Sequence, residues 1–400
     1  MTPAAVAVIR PAALRSNLAR VRELAPGCPV LAVIKANAYG HGLVQVARLL
    51  EDAEAFAVAR LEEAAQLRES GITQRLVVLG GCLTPAELAA AASLGVDVVV
   101  HSEQQVTLFA GARPVAPVAC WLKVDTGMGR LGVTPEACPG LLARLKALPA
   151  VGEVTLMTHL ACADDHMDPE TAGQLQAFGT LLAGWDGDVS IANSAAILQW
   201  PDTLRSGGAL PIRGRNWVRP GIMLFGASPL RSRQAAELGL RPAMSFETRL
   251  ISVKPVPKGQ RVGYGGHWMA PRDSILGVAA AGYADGYPWH VAGGTPVGVR
   301  DSLAPVVGRV SMDMLTIDVT DVPGVRPGDR VVLWGDGPTV EEVAGAARTI
   351  PWTLMTGINR RVAVALFHGD GGAGEIRRAL QASDWCFAGV VDLTNTAHLI

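Results

Sequence analysis

The strongest constraint on the fold is a regular alternation of short apolar runs and helix-like segments through about the first 225 residues. The apolar runs are rich in Val, Ile and Leu, as buried parallel strands are. They span residues 29–34, 55–59, 76–79, 96–100, 118–124, 154–157, 189–192 and 222–225. Eight such strands with intervening helices predict an α/β fold of the (β/α)8 barrel type. A doubly wound sheet is the alternative, but no G-x-G-x-x-G motif follows the first strand.

The pattern changes after about residue 240. Apolar runs now lie between turns rich in glycine and proline, and long helical patterns are rare until residues 340–347. The runs span residues 245–253, 275–281, 296–299, 304–319 and 330–334. They predict a smaller, mainly antiparallel β domain. We therefore expect a barrel over residues 1–230, a β domain over residues 231–370 and a tail over residues 371–400 to which the sequence gives no role.

Composition excludes several classes of function. The net charge is -1, so the chain lacks the basic excess typical of proteins that bind nucleic acid or anionic membranes. No apolar stretch reaches membrane-spanning length and no basic leader precedes the first apolar run, so we expect a cytoplasmic protein. The six cysteines lack C-x-x-C spacing, which predicts small buried residues rather than disulfides or a metal site.

Polar residues of several chemical types fall where the predicted barrel strands end. Active sites of such barrels form from the loops that follow the C-terminal ends of the strands. The residues at these positions are Lys35, Lys123, Arg130, His159, Asn193, Ser194 and Arg219, the last placed just before the eighth strand. Their convergence on one mouth of the barrel predicts the active site there.

Lys35 is the first candidate for chemistry. The chain has 35 lysine and arginine residues, of which only five are lysines. Arginine cannot lose its proton to act as a free amine, whereas lysine can. A lysine in a dry pocket has a lowered pKa and can form a Schiff base. The alternative is a lysine that extends from a strand end to solvent. Tyr39 and the glycines that follow it favour a ligand site, since glycine lets the backbone approach a ligand closely.

A phosphate site is the second candidate. Ser194 begins a short predicted helix, whose free N–H groups would favour an anion. Gly221 and Ile222 could add further backbone donors. The alternative is an ordinary helix cap followed by a turn.

Seven motifs, in order and over roughly residues 4–365, resemble those of alanine racemases. They are AVIKANAYGHG (32–42), KVDTGMGR (123–130), NS (193–194), RPGI (219–222), VGYG (262–265), GYADGY (282–287) and VGRVSMDM (307–314). The resemblance implies that Lys35 holds pyridoxal 5'-phosphate as a Schiff base. It also implies a homodimer with shared active sites, in which the partner subunit supplies Tyr264 as the second catalytic base.

Racemisation requires a proton to leave one face of the substrate Cα and another to arrive on the opposite face. By resemblance, Lys35 serves the D-enantiomer and Tyr264 serves the L-enantiomer. Tyrosine is a weak base near its reference pKa of about 10, so it needs cationic neighbours. The resemblance assigns His159 to connect Tyr264 with Arg219. A fixed arginine near the cofactor ring nitrogen would keep that nitrogen neutral.

The resemblance also assigns the remaining site residues. Tyr39, Asn193, Ser194, Gly221 and Ile222 are implied in cofactor binding.

For the substrate, Arg130 is expected near the carboxylate, and Lys123 matches a lysine that is carbamylated in many members of the family. Met312 is expected to offer its backbone N–H to the substrate, with Asp313 beside it, and Tyr283 is expected to act as a gate.

The departure from the family pattern that bears on the site is at Trp352. Trp352 stands where a tyrosine usually helps to hold the phosphate, and an indole can donate a hydrogen bond but cannot accept one. The predicted function is the interconversion of L- and D-alanine. The alternatives are a serine or broad-range racemase, an amino-acid decarboxylase of the same fold, and a degenerate homologue that only binds the cofactor. The RPGI and VGYG motifs favour racemisation.

Overall fold

The computed structural model describes residues 4–204, 210–367 and 391–392. The first half of the chain alternates strands with helices, as predicted. The strands are β1 (Ala5–Ile9), β2 (Leu31–Val33), β3 (Ala55–Val58), β4 (Arg75–Val78), β5 (Asp97–Val100), β6 (Val118–Lys123), β7 (Val151–Met157) and β8 (Val189–Ser190). The helices are α1 (Pro11–Leu24), α2 (Lys35–Tyr39), α3 (Leu43–Leu49), α4 (Leu61–Glu69), α5 (Pro85–Leu94), α6 (Glu103–Gly111), α7 (Cys138–Lys146), α8 (Glu170–Leu182) and α9 (Ser194–Gln199).

Strands β2 to β8 form one parallel sheet in chain order. Their buried residues are mostly Val, Ala, Leu and Phe, because helices cover one face of such a sheet and the barrel interior fills the other. The sheet closes through the segment 215–220, which bridges to both ends: Val218 pairs with Val30, and Asn216 pairs with Val189. The fold is therefore the predicted (β/α)8 barrel.

The eighth strand lies earlier than the sequence predicted. Ile222–Phe225 is a buried 3-10 helix, and the closing position belongs to the segment that ends with Arg219. A short apolar run has the same sequence pattern in a buried strand and in a buried helix. The periodicity of residues 222–225 therefore could not distinguish the two. The correction moves Arg219 from the start of the last strand to its C-terminal end.

The second half of the chain is mainly antiparallel, as predicted. Its elements are β9 (Met244–Val256), β10 (Arg261–Val262), β11 (Trp268–Met269), β12 (Ser274–Ala279), β13 (Pro296–Val299), β14 (Ser302–Val307), β15 (Leu315–Asp318), β16 (Arg330–Trp334), α10 (Val340–Ala346), α11 (Pro351–Thr356), β17 (Ala363–Leu366) and β18 (Val391–Asp392). Further 3-10 turns span Pro201–Thr203, Ala236–Leu238, Tyr264–Gly266 and Tyr283–Asp285. The run predicted over 304–319 divides into β14 and β15.

The second sheet has the order β12-β15-β14-β13-β16-β9-β1-β17-β18. The long strand β9 pairs with β1 and β16 along one part and with β12 along the other. The pairing of β9 with β12 closes a ring of six strands: β9, β12, β15, β14, β13 and β16. The first strand of the chain, β1, thus lies in this sheet, antiparallel to β9 and parallel to β17. Residues 5–9, which the sequence placed with the barrel, pair instead with the second unit.

The predicted tail, residues 371–400, falls outside the described residues apart from β18, which lies parallel to β17. Among the helices that the structure describes, none combines the length and the apolar character needed to cross a membrane.

Candidate active site

A cavity of about 1050 Å³ opens at the C-terminal ends of the barrel strands. Every barrel residue that the sequence nominated for the site lines it. These residues are Lys35, Tyr39, Lys123, Arg130, His159, Asn193, Ser194, Arg219, Gly221 and Ile222. The second unit contributes α11 and the residues before it, including Ile350 and Trp352. The predicted convergence at one mouth of the barrel is thus present in the structure.

Lys35 begins the short element α2, which is a left-handed turn and not a right-handed α-helix. Ala36, Asn37, Ala38 and Tyr39 have φ between 52° and 55°, in the left-handed region. For residues other than glycine this conformation costs roughly 1–2 kcal/mol each, so the surrounding structure must hold it. The turn ends at Gly40, and it gives Lys35 and Tyr39 positions on the wall of one cavity.

The cavity is strongly cationic. Burial lowers the pKa of Lys35, and the nearby charge of Arg130 lowers it further, while Glu63 opposes the shift. Burial lowers the pKa of Lys123 to about 8, helped by Arg219 and Arg130. Cations crowded at one mouth favour an anionic ligand, and both lysines are biased toward the neutral amine that nucleophilic chemistry requires.

Arg219 is buried and held by neutral acceptors. Its guanidinium donates to Oγ of Ser190, to the carbonyl of Thr158 at 2.6 Å and to the carbonyl of Ile191 at 3.1 Å. Burial lowers its pKa to about 10. No carboxylate in the described part of the chain forms a salt bridge with it. Its charge is therefore fixed in place and available to act on a group inside the cavity.

His159 lies beside Arg219, with Nδ1 at 3.4 Å from Nη2 of the arginine. A guanidinium can only donate, so Nδ1 accepts, and a neutral His159 carries its proton on Nε2. Burial, and then the charges of Arg219 and Lys123, hold the pKa of His159 well below its ordinary value. His159 is thus a neutral donor at neutral pH.

The residues predicted to bind the phosphate, together with Asn193, are joined by hydrogen bonds and close packing. Oγ of Ser194 accepts the backbone N–H of Gly221 at 2.8 Å. A Cβ at position 221 would lie 2.6 Å from Oη of Tyr39, so only glycine permits this packing. The Asn193 side chain caps α9 by accepting the N–H of Ala196 at 3.0 Å, and it donates to a loop carbonyl.

Arg130 is presented by a loop that one carboxylate organises. The Asp125 side chain accepts the backbone N–H groups of Gly127, Gly129 and Arg130, each at 3.1 Å. These bonds hold the pKa of Asp125 below its usual range despite burial. The loop therefore aims Arg130 at the cavity, and no carboxylate among the described residues forms a salt bridge with Arg130.

The four residues nominated from the second unit do not line the cavity of their own chain. Tyr264 is 72% exposed on its 3-10 turn, and Tyr283 and Met312 are exposed as well. Asp313 accepts a hydrogen bond from Arg361 at 2.7 Å, and Arg361 also donates to Asp285. Within one chain, the structure therefore does not bring these residues to Lys35.

Sequence reasoning missed several residues that support the site. Ser190 and Thr158 hold Arg219, and Glu63 accepts the backbone N–H of Ala36, next to Lys35. The sequence signal at Glu63 was weak, because a glutamate in the first turn of a helix usually caps that helix. Bonds to backbone atoms of distant segments leave no pattern in the sequence.

A barrel with a partly buried amine and a cationic cavity at its mouth, followed by a β domain, defines a two-domain α/β-barrel enzyme. Residues 9–229 match the family model "Alanine racemase, N-terminal domain", and residues 243–366 match "Alanine racemase, C-terminal domain". The chain belongs to the alanine racemase family.

Individual relatives agree with this assignment. The chain is 44% identical over 367 residues to an alanine racemase of Shewanella sediminis, covering 92% of this chain and 100% of the relative. It is 45% identical over 360 residues to one of Aeromonas hydrophila, covering 90% and 98%. It also matches the crystal structure of biosynthetic alanine racemase from Pseudomonas aeruginosa, with a TM-score of 0.86, 44% identity and coverage of 92% and 100%.

Proposed function

We propose that the enzyme interconverts L- and D-alanine, with pyridoxal 5'-phosphate bound through the amine of Lys35. The observation that carries the proposal is the convergence of Lys35, His159 and Arg219 on one cationic cavity, in a chain whose relatives are alanine racemases over almost its whole length.

The residues of the cavity fit this cofactor. Lys35 is an amine with a lowered pKa, and the charge of its neighbour Arg130 suits the negative phenolic oxygen of the cofactor. Gly221 leaves room at the wall, since a side chain there would collide with Tyr39. When bound, pyridoxal phosphate supplies an aldehyde for amine chemistry and a conjugated ring that accepts the charge left at Cα after proton removal.

Two bases then act on opposite faces of the substrate. Lys35 holds and returns the proton on the face used by D-alanine, and Tyr264 of the partner subunit does so on the face used by L-alanine. The exposure of Tyr264 in the single chain supports delivery to a second subunit, hence a homodimer. His159, neutral with its proton on Nε2, is the group that connects the phenol of Tyr264 with the charge of Arg219.

Arg219 has a second role in the proposal. A fixed cation that no described carboxylate compensates disfavours a further positive charge nearby, so the cofactor ring nitrogen stays neutral. Arg219 would in this way limit the electron withdrawal by a bound cofactor and suppress side reactions such as transamination.

The remaining assignments follow the resemblance. Arg130 binds near the substrate carboxylate, Lys123 is carbamylated and pairs with Arg130, and Tyr39, Asn193, Ser194, Gly221 and Ile222 hold the cofactor. From the partner subunit, Met312 and Asp313 contact the substrate and Tyr283 acts as a gate. Residues from about 10 to 230 form the cofactor-binding barrel, and residues 231–367 form the β domain together with strand β1.

Alanine is favoured over the other substrates and reactions considered. The curated relatives reported above are named alanine racemases, whereas serine racemisation, decarboxylation and a degenerate function have no support among them. Trp352 lines the cavity and changes its shape relative to a tyrosine. The role in supplying D-alanine as a peptidoglycan precursor or in degrading it, and the cytoplasmic location, stay predictions.

The test incubates cofactor-loaded enzyme with L-alanine, and separately with L-serine, in deuterated water. A racemase of alanine incorporates deuterium at Cα while optical activity is lost, which nuclear magnetic resonance and chiral chromatography measure. We expect this with L-alanine and much slower exchange with L-serine. Release of carbon dioxide, or bound cofactor with no exchange at Cα, would contradict the proposal.

A further inference from the structure

Glu63 lies in the first turn of α4, and both of its carboxylate oxygens are in use. Oε1 accepts the backbone N–H of Ala36 at 2.7 Å. Oε2 accepts the N–H of Ala59 at 2.8 Å and that of Arg60 at 3.2 Å. Ala36 directly follows Lys35 and is the first left-handed residue of the turn. One side chain therefore connects α4 and the end of β3 to the start of the segment that carries the reactive amine.

Two roles of Glu63 can be separated. The bond from the Arg60 N–H caps the first turn of α4, a role that glutamate and glutamine can both fill. The bond to Ala36 crosses to another element and contributes nothing to the cap. A hydrogen bond from an amide to a charged carboxylate is stronger than one to a neutral group. This stronger bond helps to stabilise the unfavourable left-handed conformation of Ala36.

We propose that Glu63 is a positioning residue whose carboxylate holds the left-handed turn at Ala36 and thereby aims Lys35 into the cavity. The proposal rests on the proposed function of Lys35 as the amine that bears the cofactor. Because Glu63 acts through the backbone, it needs no contact with substrate or cofactor, and it does not line the cavity.

The charge of Glu63 has a consequence for the amine as well. Its carboxylate opposes the lowering of the Lys35 pKa by burial and by Arg130. Two other titratable groups, Lys123 and His159, lie close to Lys35. The positive charge of Lys35 lowers the pKa of each of them. Among these groups Glu63 is the acid, so its carboxylate both fixes the turn and limits the repulsion around Lys35.

The test compares Glu63→Gln with Glu62→Gln, a matched change at the exposed neighbouring glutamate of the same helix. The amide oxygen of glutamine can still accept the hydrogen bond that caps α4. Its NH2 group replaces the second carboxylate oxygen and cannot accept the N–H of Ala36. Hydrogen exchange followed by mass spectrometry should show the amides of residues 36–42 exchanging roughly tenfold to a hundredfold faster in Glu63→Gln, with no change in Glu62→Gln. The proposal is wrong if both variants exchange this segment as the unmodified protein does.

Cofactor binding gives a second measurement. Titration of the cofactor-free protein should show weaker binding of pyridoxal phosphate to Glu63→Gln by about tenfold, with a smaller induced circular dichroism of the bound cofactor. Exchange in β12 (Ser274–Ala279) monitors global folding. If Glu63→Gln does not fold, Glu63→Asp takes its place, since it keeps the charge at the cap but is too short to span both segments.

Rescue separates positioning from capping. Glycine adopts the left-handed conformation without the penalty that Ala36 incurs, so adding Ala36→Gly to Glu63→Gln should recover part of the cofactor affinity. A cap defect would not respond to glycine at position 36, and absence of rescue counts against the proposal. The exchange measurement needs no substrate, so it stands even if the unmodified enzyme fails to racemise alanine, which would overturn the proposed function instead.

Discussion

Gly40 packs directly against the backbone of Met355. A Cβ at position 40 would lie 2.1 Å from the carbonyl oxygen of Met355, and φ of Gly40 is 82°. Gly40 ends the left-handed turn after Lys35 in the barrel, whereas Met355 lies in α11 of the second unit. The two halves of the chain therefore meet at the segment that follows Lys35, and the second unit helps to hold that turn.

The first prediction concerns this contact. Gly40→Ala should destabilise the protein by roughly 1–3 kcal/mol, because alanine is strained at positive φ and the new methyl group collides with a carbonyl. Urea unfolding measures the change. Gly71→Ala is the control, since Gly71 also has positive φ but has open space around its Cβ position. Equal losses in the two variants would show that the contact with Met355 adds nothing.

The second prediction tests shared active sites. Lys35→Ala should lose the visible absorbance of the bound cofactor, and Tyr264→Phe should keep it but lose proton abstraction from L-alanine. Each variant alone should be nearly inactive. Mixed in equal amounts and allowed to exchange subunits, they should regain about a quarter of the normal activity, because half of the dimers would contain one intact site. Activity that stays at the level of the separate variants would rule out a site built from two chains.

The third prediction concerns Arg219. Arg219→Glu should favour protonation of the cofactor ring nitrogen, so pyruvate from transamination should increase while racemisation falls about a hundredfold or more. Arg219→Lys retains the cation and serves as the control, with lower activity but no rise in pyruvate. Coupled assays for pyruvate and for D-alanine measure the two products. The idea fails if both variants produce pyruvate at the same rate per turnover.

The fourth prediction follows from the pKa of Lys123, which is about 8 in the folded protein against an ordinary lysine value of 10.5. A depressed lysine pKa means that the folded state disfavours the charged amine. The penalty is complete below about pH 8 and declines as pH rises from there toward the unfolded value. In carbonate-free buffer, Lys123→Met should therefore have a larger free energy of unfolding than the unmodified protein at pH 7. The difference between the two proteins should be smaller at pH 9. Urea unfolding of the cofactor-free proteins measures both differences, and a gap that does not change with pH would refute the assignment.

The fifth prediction concerns carbamylation of the same residue. The neutral amine is the form that reacts with carbon dioxide, and a carbamate would carry a negative charge toward Arg130. Carbon-labelled bicarbonate should give a carbamate resonance by nuclear magnetic resonance in the unmodified protein and none in Lys123→Met. Activity should rise with bicarbonate in the first protein only. The absence of a signal at saturating bicarbonate would leave Lys123 as a simple cation.

The sequence by itself determined the succession of barrel and β domain and the set of residues around the cavity. Apolar runs of the right length and composition predict strands, and polar residues at their ends must meet at one mouth once the strands are parallel. The motif around Lys35 predicted the amine that would bear the cofactor. The seven motifs together predicted the alanine racemase family, which the comparisons confirm.

Only the tertiary structure decided the rest. It placed Ile222–Phe225 in a 3-10 helix and Arg219 at the end of the closing segment, because a short apolar run does not reveal its own backbone conformation. It put β1 in the second sheet and tied Glu63 to Ala36, since pairing partners far apart in the chain are selected by packing.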